Sequence, residues 1–250
     1  MMDEEYTLVE HLTELRKRLI IVAVTFIVSL IAGFSLSPKI LTLLKMQPTA
    51  SHVEWNVFGY TDGLMIYLKC ALLLAILITL PIAMYQTWLF VKPGISKDEA
   101  KGTVLFIPVS FLLFLAGISF SYFLLFPLML NFMSSINESI GAVETYGMKQ
   151  YFTFMFNLII PVGIVFELPV VILFLTKLGI VTPAKLRKMR KIAYFVLVVV
   201  GVSISPPDFI SDILIIIPLL LLFEISILVS SWSLKRKHAK EKNLEEKMIE

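Results

Sequence analysis

Cysteine is nearly missing from this 250-residue sequence: Cys70 stands alone, inside an apolar run. One thiol supports neither a disulfide framework nor a thiolate metal site. Histidine is almost as scarce, with His11, His52 and His238 scattered along the chain. Neither H-E-x-x-H nor G-x-S-x-G occurs, so an intramembrane protease has no motif to rest on. A P-loop is absent too, which leaves nucleotide-driven work without a site, and neither metal nor other cofactor is expected. Charge is sparse at 16% of residues. The N-terminus opens with Asp3, Glu4 and Glu5 rather than a basic stretch, so the first apolar run reads as a permanent anchor and not a cleaved signal.

Apolar residues fill the space that charge leaves. They make up 58% of the chain, phenylalanine alone occurs 19 times, and mean hydropathy is +0.86. For most of this polypeptide the solvent is lipid. Six spans are expected, at about 19–37, 64–84, 104–125, 151–175, 192–205 and 209–231, within a single polytopic domain covering 1–250. A basic tail, 234–250, follows the last span.

Lysine and arginine set the orientation. Placing the N-terminus in the cytoplasm puts Arg16, Lys17 and Arg18 inside, with Lys92, Lys97 and Lys101 after span two. Lys177, Lys185, Arg187, Lys188, Arg190 and Lys191 follow after span four, and Lys235, Arg236, Lys237, Lys240, Lys242 and Lys247 in the tail. Only Lys39, Lys45 and Lys149 fall outside, with Lys69 inside span two, where its long stem can snorkel outward. Both termini are therefore expected in the cytoplasm of a multi-pass cell-membrane protein. This bias also accounts for the net charge of +3 and pI of 8.8, so no nucleic-acid partner is expected.

Span five is short. Ile192–Ser205 gives about 21 Å of helix at 1.5 Å per residue, against about 30 Å of hydrocarbon. Ser205-Pro206-Pro207-Asp208 then forces a turn. Either the bilayer thins locally or spans five and six form a re-entrant hairpin. Pro81, Pro108, Pro161, Pro169 and Pro218 lie within spans and bend helices, favouring a cupped arrangement over a straight bundle. The segments 38–62 and 126–150 are long enough to carry short extracytoplasmic helices.

Two acidic segments adjoin the membrane. In the first, Leu8, Leu12, Leu15 and Leu19 form one helical stripe and Glu10, Glu14 and Arg18 another. A Glu14–Arg18 pair at i, i+4 explains the charges on its own, at about 0.3–0.5 kcal/mol. In the second, Ser96 and Glu99 have capping-box spacing at the start of span three. Chemistry alone leaves both glutamates open between a structural and a binding role.

Further motifs decide the matter by resemblance. His11-Leu12-Thr13-Glu14-Leu15-Arg16-Lys17-Arg18-Leu19 resembles the N-terminal motif of the TatC family, the multi-span receptor of twin-arginine protein translocases. Tyr85–Pro93, Phe166-Glu167-Leu168-Pro169, Ser205–Asp208 and Leu222-Phe223-Glu224-Ile225 resemble later family landmarks, in family order. The resemblance implies that Glu14 and Glu99, with Arg16 and Phe90, bind the paired arginines of export signal peptides. It implies a contact with single-span TatA-type or TatB-type partners at Glu167, and extracytoplasmic functional positions at Pro48, Pro206 and Asp208. Export powered by the proton gradient, and assembly of several copies as a homo-oligomer, belong to the same implication. The chain departs from the family where Ala100 precedes Lys101, since a basic residue usually follows the second glutamate.

Glu167 also stands out physically. A carboxyl group near mid-membrane costs about 2.5–3.5 kcal/mol on insertion scales, and Pro169 cannot donate to the carbonyl of Val165. It either meets a polar residue of a partner's helix or holds spans four and five together. Glu224 suits an interhelical hydrogen bond. The alternative function is a proton-coupled small-solute transporter using Glu167, although no convincing inverted repeat is present. An insertase indifferent to arginine pairs is a further alternative.

Overall fold

The structure, a computed structural model, describes residues 2–50, 53, 55–92, 104–205 and 208–249, with side chains from residue 10 to residue 236 within those ranges. Backbone polar groups in hydrocarbon must be satisfied within their own segment, and the apolar runs accordingly form helices. These are α1 (Met2–Lys45), α2 (Asp62–Val91), α3 (Phe106–Phe120), α4 (Phe126–Ser139), α5 (Met148–Val165), α6 (Leu168–Lys177), α7 (Pro183–Lys188), α8 (Arg190–Ile204) and α9 (Phe209–Ile249). The described residues hold no named strand; Asn56 and Gly147 form one isolated bridge.

Five stretches are long and apolar enough to cross a membrane: Glu10–Lys45, Asp62–Val91, Phe106–Ser139, Met148–Lys177 and Phe209–Arg236. Helix α8 has 15 residues, about 22 Å of rise, and is as short as its sequence indicated. Two expected boundaries move. Helix α1 continues through Pro38 to Lys45 instead of ending near Ser37. The segment after span three does not form separate short helices, because α3 runs on through a π turn at Ser121–Leu125 into α4. In that turn the Phe126 N–H donates to the Ser121 carbonyl, a wider loop that accommodates Pro127, which has no N–H to give. Pro108 lies in the first turn of α3 and Pro169 at the second position of α6, where a missing N–H costs little. Only Pro81, Pro161 and Pro218 of the five are interior.

Helices α2, α3 and α5 pack mutually. Helix α1 packs on α2, which reaches α3 and α5; α6 lies against α9, and α8 against α9. The α5–α6 span is central, with 56% of its most apolar window buried, whereas α1 has 11% and occupies an edge. Phe126, Phe152, Phe156, Met155 and Ile66 form the core with Ile215 and Leu219 of α9. Two seams depend on small residues, as membrane helices without a hydrophobic drive between them require. At Gly33 an added Cβ would sit 3.0 Å from the Ala71 carbonyl oxygen. At Gly117 it would sit 2.8 Å from Cβ of Phe166 and 3.0 Å from Cα of Gly163.

Replacing Gly117 with leucine forces α3 away from α5 and should destabilise the protein by about 1–3 kcal/mol. A thermal melt in detergent checks this against Gly63→Leu, which meets open space and should melt with the parent.

Candidate functional site

The longest seam, between α1 and α2, is antiparallel and keeps one register: Arg18 with Gln86, Gly33 with Ala71, Ser37 with Tyr67. It brings the acidic N-terminal part of α1 onto the last turns of α2. Glu14 and Arg18 form the i, i+4 ion pair that their spacing indicates. Arg18 also donates to Oε1 of Gln86 at 3.4 Å, and the His11 ring lies 4.6 Å from the Phe90 ring. Lys92 stacks its ammonium over Trp88 at 5.0 Å. The Glu14 side chain remains 35% exposed. Glu14 and Phe90 thus lie at the same end of the α1–α2 seam, and Arg16 is exposed on the same helix. The stripe of Leu12, Leu15 and Leu19 is also exposed. Glu99 and Ser96 lie outside the described residues, as does Pro206.

Glu167 sits at the break between α5 and α6, where its N–H donates to Ile164 and its carbonyl accepts from Val171. It is buried at 7% exposure. Ser110 of α3 donates to its Oε2 at 2.5 Å, and Oε1 has no hydrogen-bond partner among the described residues. Its contact within the chain is therefore with span three, not with span five. No spacing rule singles out Ser110, one small polar residue in an apolar helix.

The end of the molecule opposite the N-terminus is closed by side-chain bonds. Pro48 opens a single turn, Pro48–Ala50, and Tyr151 donates to Thr49 at 3.4 Å. Trp55 packs on Tyr151 and Phe152, with Lys45 over its ring at 4.9 Å. Asp62 accepts from the N–H groups of Phe58 and Gly59 at 3.2 and 2.8 Å and pairs with Lys149 at 2.9 Å. Met148 donates to the Asn56 carbonyl at 2.8 Å, fastening the same loop to α5. From the last turn of α4, Asn137 donates to Glu144 and to Tyr146 in the loop that follows; burial, then the Glu144 charge, push the Tyr146 hydroxyl above its ordinary range.

Asp208 caps α9, accepting from the Ser211 N–H at 2.7 Å, while Ser205 at the end of α8 donates to Asp212. Glu224 is an interhelical acceptor, from Arg190 at 2.7 Å and from Tyr194. Lys69 does not merely snorkel: its ammonium donates to Asn157 of α5 at 2.5 Å. Among the described residues no three acidic, cysteine or histidine groups gather to hold a metal.

The family model for Sec-independent protein translocase protein (TatC) matches residues 10–218. The chain belongs to the TatC family. A TatC protein of Halalkalibacterium halodurans is 44% identical over 242 residues, covering 97% of this chain and 96% of that one. TatCy of Bacillus subtilis is 46% identical over 226 residues, covering 90% and 89%. A crystal structure of a twin-arginine translocase receptor TatC superposes with TM-score 0.77 at 32% identity, covering 89% of this chain and 99% of that one. The five apolar spans fit a multi-pass membrane protein of the TatC family.

The Asp62 contacts yield a local prediction. Asp62→Ala removes the acceptor for two loop N–H groups and the Lys149 pair, whereas Lys149→Ala removes only an ion pair whose lysine is 42% exposed. Limited proteolysis should cut within residues 46–61 faster in Asp62→Ala than in Lys149→Ala, and slowest in the parent.

Proposed function

We propose that this TatC-family chain is the receptor and core scaffold of the twin-arginine translocase. It binds the signal peptides of folded proteins through Glu14 and Glu99, with Arg16 and Phe90 in the same site. The observation that carries the reading is Glu14 itself: a partly exposed carboxylate already holding a guanidinium, at the end of the α1–α2 seam where His11 meets Phe90. A carboxylate accepts both N–H groups of an arginine fork, which a lysine ammonium cannot imitate. Two such acceptors favour twin arginine over twin lysine by about tenfold to a few hundredfold.

The chain spans the plasma membrane six times, with both termini cytoplasmic and a cupped overall shape; the one-sided lysine and arginine and the unequal helices support this. Glu167, with one carboxyl oxygen unpartnered in a buried helix break, supports a contact with a polar residue of a TatA-type or TatB-type helix. Pro48, Pro206 and Asp208 serve the extracytoplasmic face, where Asp208 fixes the start of α9. Several copies assemble, and the proton gradient drives export. The comparisons do not favour the alternative of a solute transporter.

Binding of a twin-arginine peptide to the purified protein tests the site. Glu14→Gln and Glu99→Gln should each weaken it about tenfold or more, while barely changing the already weak binding of the twin-lysine peptide. A double variant that melts like the parent and binds the twin-arginine peptide equally well overturns the assignment. For Glu167, a cysteine placed there should crosslink to a co-expressed single-span subunit; labelling by lipid probes alone would count against the contact.

A further inference from the structure

Beyond the peptide site, the same end of the molecule carries a cationic surface, built from two segments distant in sequence. Helix α9 does not stop where its apolar span does, and its backbone stays helical to Ile249. Trp232 is 56% exposed at the end of the span, and the Arg236 guanidinium stacks on its ring at 3.6 Å, one turn later. Lys235 and Arg236 open a run with five lysines and arginines in residues 235–242.

The other segment is α7. Thr176 and Ser230 share a hydrogen bond of 2.7 Å, which sets the chain entering α7 level with the last turns of the α9 span. Helix α7 then packs on α9, anchored by buried Pro183 and Leu186. That leaves Lys185, Arg187 and Lys188 exposed. Among the described residues, the carboxylate between these elements is Glu224, taken by Arg190 and Tyr194. Lys185, Arg187, Lys188, Lys235 and Arg236 have no ion-pair partner there.

We infer that α7 and the juxtamembrane turn of α9 form a binding surface for the headgroups of anionic phospholipids. The depth selects lipid over a soluble anion. A tryptophan exposed at a span's end lies at the boundary between hydrocarbon and headgroups, so the residue stacked on it is held at phosphate level. A guanidinium held over an indole has five N–H groups, and their planar fork matches a phosphate. Clustered lysines and arginines directly beyond a membrane helix attract acidic lipid at close range. Basic residues here also bias the direction of insertion. That role needs only charge, not a stacked fork or a second basic segment brought alongside.

Lipid selectivity in a reconstituted bilayer tests the proposal, because insertion is then already complete and both leaflets are open. The full chain is placed in phosphatidylcholine bilayers with spin-labelled phosphatidylglycerol or spin-labelled phosphatidylcholine, and the motionally restricted fraction of each is compared. The parent should favour phosphatidylglycerol by at least about twofold, falling toward parity in Lys185→Gln/Lys188→Gln/Lys235→Gln/Arg236→Gln. Arg236→Lys keeps the charge and loses the fork, and should lose part of the preference. A parent with no preference, or a fourfold variant that keeps it while melting like the parent, overturns the inference. So does inorganic phosphate abolishing the preference where chloride of equal ionic strength does not, since the surface would then be a site for free phosphate.

Discussion

Hydrocarbon offers no hydrogen bonds, and every backbone group placed in it must find its partner close by in the same chain. Helices answer that demand except where proline removes a donor, and there the chain makes local repairs. Before Pro127 the helix widens to a π turn, with Phe126 reaching back to Ser121. Before Pro169 it breaks, and the Glu167 N–H turns to Ile164, three residues back. Hydroxyl groups inside the spans mostly satisfy themselves on their own helix: Thr25 on Ile21, Ser37 on Gly33, Thr87 on Ala83, Thr176 on Ile172, Ser226 on Leu222. Among the described residues Thr79, Ser121 and Thr153 keep an unpartnered hydroxyl, and Glu167 one unpartnered carboxyl oxygen. That carboxyl group occurs at a break, the one kind of place in a span where the polar backbone is already open.

The same constraint shapes the seams. Lipid gives helices no hydrophobic reason to associate, so backbone approach through glycine and alanine must supply the contact. On α1 this happens at Gly33 and Ser37, far from the N-terminal end. Below that crossing, α1 offers lipid its leucine face and offers α2 its polar one, through Arg18 and Gln86. An edge helix held tightly at one end and by hydrogen-bonding side chains at the other leaves Glu14 oriented but uncovered.

Much of this could be read from residue order. The five long spans followed from uninterrupted apolar runs, and the short α8 from the fourteen residues Ile192–Ser205. The Glu14–Arg18 pair followed from i, i+4 spacing, and Glu224 as an interhelical acceptor from its place near the end of a span. What escaped depends on contacts between distant segments or on repairs to a helix. Nothing local announces that Ser110 meets Glu167, that Lys69 meets Asn157, or that Asp62 gathers Phe58, Gly59 and Lys149. The extension of α1 past Pro38 and of α3 into α4 escaped because proline reads as a stop, whereas a membrane helix can continue through one.

Self-pairing at the candidate site bears on why two arginines would be needed for the proposed recognition. Glu14 is not an empty acceptor, since Arg18 already occupies it. A peptide with one arginine exchanges one guanidinium for another at that carboxylate, and the two charge-assisted contacts nearly cancel. Arg18 is then left to Gln86, a neutral acceptor at 3.4 Å, so a single exchange carries a small penalty. Net affinity has to come from a second arginine on a second acceptor, the role proposed for Glu99. On this account the internal ion pair works as a threshold: it screens out the many cytoplasmic sequences with an isolated basic residue and leaves only adjacent arginines with a gain from binding.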